Sequence, residues 1–283
     1  MKIIHERHDG YTELNFLNRD GRTVADTRSA RGQARISAEL HMNDEDTPVY
    51  FLITMGGGLT EGEHYVTKIN ARDNTHALVT TQAPTYVFKC NGGKTTYNDF
   101  TVHVGKNTIL EYLPDDVIPY GNSRYSQTSE VTVDKGGSLL FTDGITAGWA
   151  PNGEDFQYVF SHMVTHIYYD GSLVYNDNLI LEPRNYDLAG LGFYDKQRNY
   201  SSLVIVDERV TDAFVEDLQE QAKDIDNAIV GVSHLEGPAA IIRVLGDSLH
   251  SNKRILLNFA NYIRHQFYGL SDINLRKDVS FRQ

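Results

Sequence analysis

The stretch MGGGLTEGEHYVTKI, Met55 to Ile69, places Glu61, Glu63 and His64 on a glycine-rich bend. Gly56, Gly57, Gly58 and Gly62 let the backbone enter left-handed or crowded conformations that other residues resist. Two carboxylates beside an imidazole form a donor set suited to nickel, zinc or iron. Nothing in the segment fixes a further ligand from elsewhere, and the same residues also suit a plain tight turn between two strands. The segment is not a phosphate cradle, because it lacks both the GK[ST] ending of a P-loop and GxGxxG spacing before a helix.

A second constellation lies in LLFTDGITAGWAPNGEDFQY, Leu139 to Tyr158, where Asp143, Glu154 and Asp155 stand among Gly144, Gly148 and Gly153. Asp143 follows an apolar run, so it is expected to face inward. A carboxylate there needs a hydrogen-bond partner, a cation or a raised pKa. By residue type, Asp143 and Glu154 also match the acid pair of glycoside hydrolysis. A β-rich carbohydrate-active enzyme is therefore the alternative reading. The plainer role for either acid is to accept backbone amides in a polar loop.

His162 and His166, in FSHMVTHIYY, point to one face of a strand. They would stand about 13 Å apart, too far to share an ion unless the strand bulges. Cys90 is the single cysteine, read as a packing residue. Asp177 interrupts the apolar run LVYNDNLIL, which signals a lined cavity, an edge or a buried pair. Arg124 stands where a strand begins, able to pair with an acid or anchor a partner chain. The sequence contains no GxSxG, HExxH or CxxC.

The elements that must position these residues are mostly strands. Period-two alternation with β-branched and aromatic residues predicts strands over Tyr11–Leu17, Ala34–Leu40, Val49–Thr54, His64–Ile69, Ala77–Thr81 and Thr85–Lys89. It predicts more over Asp99–Val104, Thr108–Leu113, Ser126–Val133, Ser138–Phe141 and Asp155–Tyr169. Gly, Asn and Asp clusters mark the turns between them. No strict repeat period is visible, yet the recurrence of short strand, glycine turn and short strand suggests many rungs. Two late helices are predicted, Thr211–Ala228 capped by Thr211 or Asp212, and Ser251–Tyr268 ending at Gly269. Between them a strand pair, Asn227–Leu235 and Ala239–Leu245, brackets Gly237-Pro238. No linker divides the 283 residues, so one domain with a helical decoration is expected. The tail Ser271–Gln283, with Val279 and Phe281, is read as mobile or as a docking segment.

Lysine and arginine number 26 against 38 acidic residues, a formal charge of -12. Such a surface repels nucleic acid and anionic membrane and favours cations or basic partner surfaces. One cysteine excludes an internal disulfide and a cysteine zinc knuckle. The N-terminal residues form no signal-peptide pattern and no run of 18 apolar residues occurs. A cytoplasmic location fits best.

MGGGLTEGEHY at 55–65, TTQAPTYVF at 80–88, LEYLPDDVIPYGNSRY at 110–125 and TDGITAGWAPNGEDF at 142–156 together resemble the UreD/UreH family of urease accessory proteins. DNLIL at 177–181 and the amphipathic helix near 255–267 agree with it. The resemblance implies a flattened, β-helix-like stack of strands with a small helical part. It implies no catalysis and no tightly bound cofactor. It implies a scaffold that joins a helical accessory protein and a GTPase, in a heterocomplex that can be dimeric, to apo-urease for nickel delivery. Internal water-filled passages are the proposed route for transient Ni2+.

By position, Glu63 stands where the family usually has aspartate, Asp143 at its acidic position and Glu154 in its glycine-glutamate pair. Arg124 matches the arginine that ends the proline- and glycine-containing loop. Glu63, Asp143, Glu154 and Asp177 are expected to line or support a nickel route, with His64 and Glu61 beside it. Phe259, Ile263 and Phe267 are expected to pack the last helix on the scaffold and help form the partner surface. Two positions depart from the family: Trp149 follows Gly148 where arginine is common, and Tyr86 stands where lysine is frequent.

Overall fold

Burial on one face or on both separates two kinds of strand in this chain. The computed structural model describes residues 8–42, 46–275 and 277. Its strands run β1 (Gly10–Arg19), β2 (Arg22–Gly32), β3 (Ala34–Ile36), β4 (Val49–Thr54), β5 (His64–Ala71), β6 (His76–Thr81), β7 (Thr85–Val87), β8 (Thr96–Val104) and β9 (Ile109–Leu113). They continue as β10 (Val117–Pro119), β11 (Arg124–Val133), β12 (Ser138–Thr146), β13 (Phe160–Tyr169), β14 (Ser172–Leu181) and β15 (Asn199–Val206). Helix α1 (Asp212–Lys223), strands β16 (Ile229–His234) and β17 (Ala239–Gly246), and helix α2 (Leu249–Ile263) follow.

The strands form two stacked sheets. One has the order β14-β13-β11-β8-β5-β1-β2. The other runs β16-β17-β15-β12-β9-β6-β4-β3, with β10 beside β12 and β7 beside β10. From β4 to β13 the chain passes repeatedly from one sheet to the other, and each long strand pairs in parallel with its counterpart one rung away. Tyr65 faces Asn98, Asn98 faces Gln127 and Gln127 faces Met163. On the other side Val49 faces Leu78, Leu78 faces Glu111 and Glu111 faces Leu140. This is a flattened, solenoid-like stack.

The sandwich explains the sequence patterns. In the first sheet one face meets the core and the other meets solvent, so β11 and β13 alternate buried and half-buried residues. The second sheet is covered on both faces. Its inner side joins Tyr50, Val79, Leu110, Leu139 and Val204 to the first sheet. Its outer side packs Leu78, Leu140, Leu203, Ile205 and Ile242 against α1 and α2. Strands buried on both faces are near-continuously apolar, as in Leu203–Val206.

Thr211 caps α1 by accepting the Phe214 amide at 3.3 Å. The helix is shorter than the predicted Thr211–Ala228, ending at Lys223 with Asp224 as cap. The second helix begins at Leu249, widens to a π turn over Arg264–Tyr268 and stops at left-handed Gly269. The strand predicted over Ala34–Leu40 ends at Ile36, and Leu40 makes only an isolated bridge to Val49. The segment read as a strand from Asp155 begins at Phe160, because Phe156 sits at positive φ. Val279 and Phe281 lie outside the described residues. Among those described, no helix is long and apolar enough to cross a membrane.

Candidate functional site

Asp143 lies within β12, and its inward side chain crosses to the other sheet. Gln127 Nε2 donates to both of its oxygens, at 3.1 and 2.9 Å. The Gly144 amide donates at 2.9 Å and Thr165 at 3.5 Å. Among the described residues, no cationic side chain is bonded to it. Burial pushes its carboxyl up to about 7, and the nearby Asp177 charge acts in the same direction; the Gln127 and Gly144 hydrogen bonds oppose the rise.

The hydrogen bonds continue away from Asp143. Tyr125 donates to Gln127 Oε1 at 2.8 Å, and Asn98 Nδ2 donates to the Tyr125 hydroxyl at 3.1 Å. Asn98, Tyr125 and Gln127 are buried. Parallel stacking sets Asn98 on β8 beside Tyr125 and Gln127 on the neighbouring β11, which is why residues so far apart in sequence form one polar seam.

A void flanks each end of this seam. At the Asn98 end a cavity of about 150 Å³ is lined by Gly58, Thr12, Thr67, Thr81, Tyr65 and Asn98. At the Asp143 end a void of about 10 Å³ touches Asp143, Thr165, Asp177 and Tyr200. The smaller is about the size of one water molecule. Asp177 sits half-buried on β14, 3.4 Å from Arg243. The structure thus brings Asp143 and Asp177 to one void.

The glycine bend adjoins the larger cavity through Gly57, Gly58 and Leu59. A Cβ on Gly58 would stand 2.7 Å from the Tyr86 carbonyl oxygen, so only glycine permits this approach. The bend's polar residues diverge. Glu61 accepts the amides of Gly92 and Lys94, both at 2.8 Å, which hold its carboxyl below the usual range. Glu63 accepts the Thr60 amide at 2.7 Å and the Tyr65 hydroxyl at 3.1 Å. His64 meets Asp99 at 2.7 Å on the solvent face. Among the described residues, no three His, Cys, Asp or Glu side chains converge to hold a metal.

Glu154 is on an exposed turn, where its carboxylate accepts from Asn152 and its amide donates to Asn152. It does not line the Asp143 void. His162 pairs with Glu182 at 3.0 Å and His166 with Glu130 at 2.7 Å. Arg124 begins β11 and lies over the Phe160 ring. Cys90 is buried. Phe259 and Ile263 are 3% and 0% exposed against the sheet, while Phe267 is half-buried and packs at a tilt on Phe214 with ring centroids 4.5 Å apart. Of these three, Phe267 alone keeps substantial exposed surface.

Sequence reasoning missed Asp116. It is 8% exposed and accepts from Ser201 at 2.5 Å. A Cβ on Gly144 would stand 2.6 Å from its carboxyl, so Asp116 occupies the outer side of the sheet where Asp143's neighbour has no side chain. Burial pushes it, too, up to about 7. Asp116 also lines a cavity of about 460 Å³ between the sheet and α2. The paired acids in Pro114-Asp115-Asp116 were the available signal.

The UreD urease accessory protein family model matches residues 8–278. The chain is 41% identical to the urease accessory protein UreD of Streptococcus salivarius over 96% of this chain and 98% of the relative. It is 31% identical to that of Ureaplasma parvum, covering 86% of each. Identity to that of Actinomyces naeslundii is 29%, over 95% of this chain and 98% of the relative.

Proposed function

The chain belongs to the UreD family of urease accessory proteins, and on that premise we propose that it is a cytoplasmic scaffold for nickel delivery to urease. In this reading a single scaffold domain joins apo-urease to a helical accessory protein and a GTPase. Nickel is cargo, held transiently and passed on.

The observation that carries the reading is the buried seam ending at Asp143, a carboxyl with hydrogen-bond donors around it and, among the described residues, no bonded cationic side chain. A dication leaving water needs replacement oxygens, or its desolvation cost is prohibitive. It also needs weak successive sites, because a closed ligand set would trap it. Asp143 and Asp177 share a small void and Asp116 lines a larger cavity, and such separate carboxylates suit handing on more than holding. Glu63 stands near the other end, bonded to Tyr65 of the larger cavity. Glu61, His64, Glu154 and Arg124 support this route in the proposal by fixing the turns and strand starts around it. The partner surface is assigned to the helical layer, with half-buried Phe267 as its outermost member of the three and Phe259 and Ile263 fixing the helix beneath.

The test is to co-express the urease subunits with the helical and GTPase accessory proteins, with and without this chain. Complex mass and urease-bound nickel are both measured. Nickel loading that depends on this chain, together with co-purification, is the expected result. Full loading without it and no association would overturn the scaffold assignment.

A further inference from the structure

Trp149 is the chain's one tryptophan and is 52% exposed. It is not on a loose loop tip. Its amide donates to the Pro119 carbonyl at 3.0 Å, and its carbonyl accepts the Gly121 amide at 2.8 Å. These bonds fix its backbone beside the end of β10. Tyr120 lies against the indole with ring centroids 4.8 Å apart. Tyr86 and Phe88 meet Tyr120 edge-on at 6.0 and 5.3 Å. An aromatic wall is therefore held in place before any ligand arrives, which lowers the ordering cost of binding.

That wall borders an open groove of about 350 Å³, also lined by Arg198, Asp247 and Leu249. Arg198 is engaged by Asp155, with Nε at 3.1 Å and Nη2 at 2.6 Å from the same oxygen. Asp247 is exposed and its charge also acts on Arg198. Asp155 stands outside the groove lining and neutralises Arg198 from there, which leaves the Asp247 carboxylate to set the sign inside the groove. Ring faces and the Asp247 carboxylate both favour a cation. A planar guanidinium can stack on a ring while its edge donates to a carboxylate, which a compact ammonium does less well. An acidic occupant would be repelled by Asp247. The chain's formal charge of -12 adds longer-range attraction for a basic segment.

We propose that this groove docks an arginine side chain presented by a basic segment of a partner protein, with the guanidinium on Trp149 and Tyr120 and Asp247 as counter-ion. This goes beyond the nickel reading, and its test contains neither metal nor urease.

Trp149 is itself the reporter, since excitation beyond the tyrosine absorption band selects the chain's one indole. The probe is the capped peptide Gly-Arg-Gly-Arg-Gly, compared with the same peptide carrying uncharged citrulline for arginine. The expected result is a saturable change in Trp149 emission with the arginine peptide and about tenfold weaker binding of the citrulline peptide. Asp247→Asn, at an exposed position, should weaken the arginine peptide by about fivefold. Trp149→Ala, followed by calorimetry, should weaken it by about tenfold. No saturable response, equal binding of the two peptides, or unchanged affinity in both variants would overturn the proposal.

Discussion

Two carboxylates of the second sheet receive opposite treatment. Glu111 projects from β9 toward the helical layer and is fully buried. Arg264 Nη1 donates to both its oxygens, at 2.5 and 2.6 Å, and His76 lies 2.8 Å away. Burial opposes its ionisation, but His76 and Arg264 outweigh that and hold its pKa below the usual range. Asp143 projects from β12 to the opposite side, toward the first sheet, and among the described residues it meets two amides and one hydroxyl but no cationic side chain. Its pKa is raised. The outer acid is matched within the chain and ties α2 to the sheet. The inner acid is held by neutral donors beside a void, the feature on which the proposed route rests.

Breaking the outer pair should have the largest effect. Arg264→Leu leaves Glu111 buried without its guanidinium, and loss of one partner of such a pair costs about 3–5 kcal/mol. Urea denaturation should show this loss. A variant as stable as the parent would mean that the pair does not anchor the helical layer.

Asp143 should behave in the contrary way. Its folded pKa is raised, so the folded chain keeps a proton up to about pH 7 that the unfolded chain releases near pH 4. The stability associated with that proton is present below the unfolded value and is lost as pH rises through the folded one. The parent is therefore expected to be less stable at pH 8 than at pH 5.5 through this group. Asp143→Asn should reduce that difference without abolishing it, because Asp116 contributes in the same direction. Urea midpoints at the two pH values test this. An undiminished difference in the variant would remove Asp143 as a source.

A smaller effect sharpens the picture of the helical layer. Thr211→Ala removes the cap of α1 and should cost about 1 kcal/mol. Since α1 has no bond to the Asp143 seam among those described above, the pH dependence should be unaltered.

The sequence made these two regions unequally legible. β11 and β13 could be read because solvent on one face imposes alternation. The edge strand β2, RTVADTRSARG, has little apolar contrast and was not predicted. Nor was β15, whose buried Leu203–Val206 run carries no alternation because both faces are covered. The inward direction of Asp143 followed from its apolar neighbours. Its partner Gln127 did not, because it comes from the facing sheet and the two meet only when the sheets pack. Glu111 and Asp116 were missed for the same reason: Arg264 and Ser201, which define their environments, come from distant segments. The glycine bend was correctly placed between strands, but side-chain type could not reveal that Glu61, Glu63 and His64 turn to different partners.

The most direct test replaces Asp143 with Asn or Ala during co-expression with urease and the other accessory proteins at limiting nickel, with Glu63→Ala alongside. Co-purification and urease-bound nickel are measured on the same samples. The account predicts that the complex assembles with each variant while nickel occupancy falls severalfold, most with Asp143→Ala. Normal nickel loading in all of them would contradict an acidic route through the seam.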